Sequence, residues 1–250
     1  MSSSTTPVSL QTQQWNPQGD RSVLLVHGLS ASSGTWWRVA SALASSGLRV
    51  VAPDLRGHGM SPRTASYSFD EHCEDLDLLG GSWDLAIGHS LAGPILARLA
   101  KRGGLSRLLL LDPVLQIADD DFDAVVEDQL SELDPEVTVD GMSAANPRWH
   151  IQDCFQKLAD ARAMSSHVVE RCLRDNAPYR HLALLESLDV PTLVLGADPS
   201  IGTMCDREQV TGVGNQRIEH RIVEGAGHGI QREQPDRVVE AALELLQLTA

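Results

Sequence analysis

The sequence predicts an α/β protein: a mostly parallel central sheet with helices on both faces, interrupted by an inserted helical cap. Three observations carry this. Short β-branched and leucine runs alternate with helical patterns, as in Val23–Val26, Leu48–Ala52, Trp83–Ile87 and Leu108–Leu111. Continuous apolar runs of this kind mark strands buried on both faces. The segment Leu85-Ala86-Ile87-Gly88-His89-Ser90-Leu91-Ala92-Gly93 drives a strand straight into a small-residue turn and then a helix. Finally, strand rhythm stops between Val114 and Ser187 and resumes at Thr192–Leu195. So long an excursion reads as a functional lid rather than a loop. The expected organisation is a core of residues 1–113 and 188–250, with a cap over 114–187.

The elements follow in order. Val8–Trp15 alternates like a half-exposed edge strand, and Asn16-Pro17-Gln18-Gly19-Asp20 is a turn. After Val23–Val26 comes the small-residue loop His27–Gly34, then a helix over Trp36–Ser45. Leu48–Ala52 is a strand ending at Pro53-Asp54, Glu71–Leu79 a helix, and Trp83–Ile87 a strand. A helix over Pro94–Lys101 leads to Leu108–Leu111, which ends at Asp112-Pro113. Within the cap, helices break at Asp134-Pro135, Asn146-Pro147 and Ala177-Pro178. Thr192–Leu195 and Arg217–Val223 are the last strands, and Val238–Leu248 is a closing amphipathic helix.

Composition bounds the function. The 250 residues carry 20 Lys+Arg against 34 Asp+Glu, a net charge of −14, and 42% are hydrophobic. That charge repels phosphate backbones and anionic lipid, so neither nucleic acid nor a membrane is an expected partner. Met1–Pro7 has neither a basic start nor an apolar segment, and no apolar run approaches the ~20 residues that span a bilayer. Cys73, Cys154, Cys172 and Cys205 are widely spaced, the pattern of reduced structural thiols in a cytoplasmic protein. The acidic run Asp119–Asp123 lacks the glycine and closing glutamate of a calcium loop and reads as a solvated helix start. The expected partner is a small-molecule substrate; oligomeric state is left open.

Ser90 stands at the apex of the strand-to-helix turn. Residues two before and two after such a serine must be small because strand and helix nearly touch. Gly88 meets this, and Ala92 stands where glycine is usual. A serine hydroxyl needs a base to become nucleophilic, and that base needs an orienting acid. His228, in the glycine loop Glu224–Gly229 beyond the last strand, is the candidate base. Asp198 and Asp112 both end strands, and both qualify as the acid; Asp198 is favoured because its strand adjoins the one feeding His228. The backbone amides of Leu29 and Leu91 are placed to bind an oxyanion. His89 is expected to point to the opposite side of the elbow and pack, His58 to brace a turn, and His27 to be structural.

Five strings together resemble the α/β-hydrolase superfamily: Val26–Leu29, Asp54–Ser61, Gly88–Gly93, Leu195–Asp198 and Gly225–His228. The D-x-R-G-H-G-x-S string is similar to the esterase, haloperoxidase, dehalogenase and C–C hydrolase branch, whose members carry a helical cap between the sixth and seventh strands. Ser90 in place of a carboxylate argues against a dehalogenase or epoxide hydrolase. In many relatives the acid lies three residues after the strand-end glycine, whereas Asp198 lies two after Gly196, which keeps Asp112 in play.

The resemblance implies a Ser90–His228–acid triad, an acyl-enzyme, and no requirement for a metal or organic cofactor. The expected reaction is hydrolysis of a carboxylic ester or a related carbamate, lactone or amide with an apolar or aromatic group. A C–C bond hydrolase or cofactor-free perhydrolase on the same triad is the alternative, and a non-catalytic binding protein on this scaffold is the reading from another class. Trp36, Trp37, Phe122, Met142, Trp149, Phe155 and Tyr179 are the candidate pocket residues.

Overall fold

The computed structural model describes residues 6–247. Residues 1–5 of the Ser/Thr-rich start and Leu248, the expected end of the closing helix, lie outside the described residues. Seven strands form one sheet in the order β1-β3-β2-β4-β5-β6-β7. β1 (Thr12–Trp15) is antiparallel to β3 (Arg49–Pro53), and every other neighbouring pair is parallel. β2 (Ser22–Val26), β4 (Leu85–His89) and β5 (Leu108–Leu111) are buried along almost their whole length, as are β3 and β6 (Thr192–Ala197). β7 (Ile218–Val223) closes the far edge.

Alternate residues of one strand feed two separate cores. Leu24, Val26, Ala86, Leu108 and Leu110 pack on one face; Val23, Leu25, Leu85, Ile87, Leu109 and Leu111 pack on the other. This double burial explains why the strands read as unbroken apolar runs rather than as alternation. α1 (Trp37–Ser45), preceded by a 3₁₀ turn at Ser33–Trp36, lies on the second face. α2 (Phe69–Asp77) and α3 (Ala92–Arg102) lie on the first. α2 starts two residues before its expected boundary because Ser68 and Glu71 form a reciprocal capping box.

Between β5 and β6 the chain is helical: α4 (Phe122–Ser131), α5 (Val139–Ala145), α6 (Ile151–Ala163), α7 (Ser166–Arg174) and the short α8 (Ala183–Glu186). In this chain's own count the helical insertion follows the fifth strand. α4 packs on α7 and α5 on α6. Leu185 of α8 is buried in the sheet core, so the last turn of the insertion belongs to the body beneath it. The acidic run forms an exposed 3₁₀ turn leading into α4, with Asp119 paired to Arg180 and Asp123 to Arg174.

After β6 come α9 (Arg207–Gly212), then β7, the short α10 (Ile230–Glu233) and α11 (Pro235–Leu245). α11 begins three residues ahead of expectation, with proline at its first turn, where the missing N–H costs nothing. All four cysteines are free and buried. Among the described residues, no helix is long and apolar enough to cross a membrane.

Candidate active site

The carboxyl ends of the parallel strands converge, and the residues that follow β2, β4, β5 and β7 meet there, where open α/β sheets place their ligands. Ser90 follows β4 at φ +55°, a left-handed conformation that serine adopts only when its surroundings impose it. Those surroundings are visible in its backbone bonds. Ser90 N–H donates to Leu111 C=O at 3.0 Å, and the Ser90 C=O accepts from Gly93 N–H (2.9 Å) and Val114 N–H (3.2 Å).

The small-residue rule holds in detail. A methyl added at Gly88 would stand 2.6 Å from Leu96 Cδ1 and 3.0 Å from Ala92 Cβ. Ala92 fits because its methyl is what fills that gap. The loop after β2 presses equally close: a methyl at Gly28 would stand 3.0 Å from Ser90 Cβ and 2.9 Å from His89 Nδ1. This approach brings the Leu29 backbone beside the turn, and both Leu29 and Leu91 line the cavity that Ser90 faces.

The β2 loop is fixed from several sides. His27 donates Nδ1–H to Gly28 C=O (2.7 Å), and its Nε2 accepts from Leu55 N–H (2.9 Å). That arrangement is a neutral imidazole, and burial lowers the His27 pKa to keep it so. Asp54 accepts from Ser33 N–H and Met60 N–H, while Arg56 is buried in a two-pronged pair with Asp75 at 2.6 and 2.8 Å. His58 donates Nδ1–H to Arg56 C=O (2.9 Å), and burial pushes its pKa down to about 3. The Asp54–Ser61 string is thus a scaffold for the loop, with His58 and His27 structural as expected.

The acid facing His228 is Asp112, not Asp198. His228 Nδ1–H donates to Asp112 Oδ2 at 2.7 Å across 116 residues. Asp112 is fully buried, sits at φ +39°, and also accepts from Met204 N–H (2.9 Å), Thr203 Oγ1–H (2.5 Å) and Ala197 N–H (3.2 Å). Burial alone would raise its pKa, but the His228 bond first, then the Thr203 and Met204 bonds, hold it at about 2.

Asp198 is spent on its own surroundings. It accepts from Gly225 N–H (2.8 Å), Ser200 N–H (2.9 Å) and Ser200 Oγ–H (2.7 Å), and its pKa falls through the Gly225 and Ser200 bonds. It anchors the start of the His228 loop without reaching the imidazole. Adjacency of strands misleads here because the residues after β6 turn Asp198 toward Gly225, while the Thr203–Met204 backbone folds back over Asp112.

His89 also lies on the unexpected side. Its Nε2–H donates to the His228 carbonyl at 2.8 Å, and the two rings sit 4.6 Å apart. Burial, then the neighbouring His228 and Arg232 charges, keep its pKa well below the ordinary histidine range. His89 therefore supports the His228 loop as a neutral donor.

A cavity of about 880 Å³ opens over Ser90 and His228, lined also by residues of the helical segment between β5 and β6. Of the candidate pocket residues, Met142, Trp149 and Tyr179 line it. Trp36, Trp37, Phe122 and Phe155 do not. Trp36 is buried with the second core, and Trp37 Nε1–H donates to Asp153 at 2.9 Å. Phe122 packs on the first core, and Phe155 faces solvent at 53% exposure. Helical position alone does not tell which side of a helix meets the cavity.

Several wall residues escaped the sequence reading. Lys157 reaches from α6 to Ser30 C=O (3.1 Å) and Glu132 (2.6 Å), tying cap to loop. Glu233 accepts from Gly227 N–H (2.9 Å) and pairs with Arg148 at 2.5 Å, tying cap to the His228 loop. Arg232 lies on the same wall. No periodicity or motif marks these residues, because each acts through a partner far away in the chain.

The chain matches the model of the alpha/beta hydrolase family over residues 23–241. It is 30% identical to a non-heme chloroperoxidase, CPO-A1, of Kitasatospora aureofaciens over 240 residues, covering 84% of this chain and 86% of that protein. Among solved structures, a bromoperoxidase from Bacillus anthracis superposes with a TM-score of 0.79 at 20% identity, covering 97% of this chain and 96% of that one. A thermophilic esterase from Thermogutta terrifontis superposes at 0.76 with 23% identity, over 98% and 96% of the two chains. The two structural likenesses speak to the fold.

Proposed function

Because this chain belongs to the alpha/beta hydrolase family, we propose that it is a serine hydrolase cleaving a carboxylic ester or related acyl bond of a small substrate. The observation that carries this reading is the His228–Asp112 bond beneath a cavity shared with Ser90. With Nδ1–H committed to Asp112, the His228 Nε2 lone pair is left to accept a proton. Ser90 Oγ attacks the substrate carbonyl and His228 takes its proton. The amides of Leu29 and Leu91 stabilise the oxyanion, each contributing roughly 3 kcal/mol to lowering the barrier. His228 then protonates the leaving group, and water, deprotonated by His228, hydrolyses the acyl-enzyme. Asp112 fixes the tautomer and stabilises the imidazolium. Turnover of 4-nitrophenyl esters with Ser90→Ala as control tests this. Loss of turnover in the variant supports the reading; equal slow release by both proteins overturns it.

A second reading rests on the relative named a non-heme chloroperoxidase. Hydrogen peroxide could replace water as the acceptor of the acyl group, giving a peracid and free Ser90. Ser90-dependent peracid formation from a short carboxylic acid and peroxide separates the two readings.

A further inference from the structure

Three cations line the cavity wall: Arg148, Lys157 and Arg232. Arg148 is paired with Glu233 at 2.5 Å and Lys157 with Glu132 at 2.6 Å. Arg232 is the exception. It is 5% exposed, and among the described residues no carboxylate lies within ion-pair distance of it. Its Nη2 is buried with no hydrogen-bond partner. The other acids in its field lie beyond ion-pair distance: Asp153 is held by Arg38 and Trp37, and Asp160, the acid that acts most strongly on Arg232, accepts from Gln156 at 3.0 Å through Oδ1 and keeps Oδ2 buried without a hydrogen-bond partner. Asp121, in the 3₁₀ turn before α4, and Asp128 of α4, also on the wall, are exposed.

A guanidinium stays protonated and offers a planar fork of donors, so a buried one with no carboxylate within ion-pair distance has donors open to an anion. The Arg232 backbone is held on both sides and its guanidinium lies over an indole. Its backbone carbonyl accepts from Arg38 (2.5 Å), its N–H donates to Gly229 C=O (2.8 Å), and its guanidinium carbon lies 4.6 Å from the Trp149 ring centre. Trp149 Nε1–H is a second buried donor without a partner on the same wall. Arg232 stands only four residues beyond His228. Burial lowers the pKa of His27 and His89, and in both the Arg232 charge adds to that lowering, so the charge is felt beside the Ser90 turn.

We propose that Arg232, with Trp149 beside it, is a specificity-determining anion subsite, and that the substrate is an ester or related acyl compound bearing a free carboxylate. The carboxylate would accept from the Arg232 fork and the Trp149 indole, while its carbonyl lies at Ser90. This rests on the serine-hydrolase reading above.

The test compares 4-nitrophenyl hydrogen succinate and glutarate with the neutral 4-nitrophenyl pentanoate and hexanoate, each corrected for spontaneous hydrolysis. Wild-type kcat/KM should favour the carboxylate esters. In Arg232→Met that preference should fall by about 10- to 100-fold, the value of a charge-assisted hydrogen bond expressed as a rate ratio. The change should appear mainly in KM. Arg232→Lys, which keeps the charge and loses the fork, should fall between. Free glutarate should compete with hexanoate ester hydrolysis by the wild type and far less by Arg232→Met. A wild type that favours the neutral esters and is not inhibited by glutarate overturns the subsite, whatever the variants do; so does an Arg232→Met loss shared equally by both ester series. Absence of Ser90-dependent turnover with every ester, by contrast, overturns the hydrolase reading itself.

Discussion

The imidazole of His89 donates its Nε2–H to the backbone carbonyl of His228 at 2.8 Å, linking residues 139 apart. The residue just before Ser90 thereby holds the loop that carries His228. Serine and histidine then share one rigid support, since β4 sets both Ser90 and the anchor of His228.

His89→Ala should therefore lower kcat without removing any reacting group. Losing a buried donor to a carbonyl costs about 1–3 kcal/mol. Expected are a comparable loss of unfolding stability in urea and a fall in kcat of about 10- to 100-fold. His89→Gln, which can still donate, should recover part of both. A variant equal to wild type in both measurements would contradict the support role.

The two candidate acids give opposite outcomes. Asp112→Asn should reduce kcat by roughly 10⁴-fold, by analogy with other triads in which the orienting carboxylate is neutralised. Asp198→Asn removes acceptors from the Gly225 and Ser200 bonds and should cost only a modest factor, through loosening of the loop. Steady-state kinetics on the two purified variants decide between them.

Stability should fall with acid in two stages. His58 titrates near 6.5 when unfolded but at about 3 when folded, so below about pH 6.5 the unfolded state binds the extra proton and stability declines. His72 and His89, also held low by burial, act in the same direction. Asp112 acts later. Its folded value of about 2 lies below the unfolded carboxylate, so its contribution, about 2 kcal/mol, is present above pH 4 and lost as pH falls toward 2. Urea midpoints measured from pH 7.5 to 4 should decrease, with a shallower slope in His58→Gln.

Gly88→Val should damage both folding and activity. Its first side-chain carbon alone would stand 2.6 Å from Leu96 Cδ1 and 3.0 Å from Ala92 Cβ. Overpacking of this order costs about 1–3 kcal/mol, and its relief displaces α3 from β4, carrying Ser90 with it. Gly88→Ala should be milder, and Ala92→Gly should partly rescue it. Thermal melts and ester turnover on the single and double variants check this.

What the sequence by itself determined is what local geometry controls. Apolar runs buried on both faces marked the parallel strands, and Gly88, Ser90 and Ala92 marked a turn that needs small neighbours two residues either side. The glycine loop before His228 marked a flexible strand end. Each of these signals lies within a few residues, because steric exclusion and backbone pairing act at that range. Tertiary structure alone decided which carboxylate meets the imidazole, since Asp112 and Asp198 both end buried strands and differ only in how the following loops fold over them. It also decided that His89 turns toward His228, that Trp36 joins the core while Trp149 lines the cavity, and that Arg232 stands buried with no carboxylate in ion-pair distance among the described residues. Those outcomes depend on partners from about thirty to more than a hundred residues away, whose approach is fixed by packing of the whole sheet and of the helical insertion.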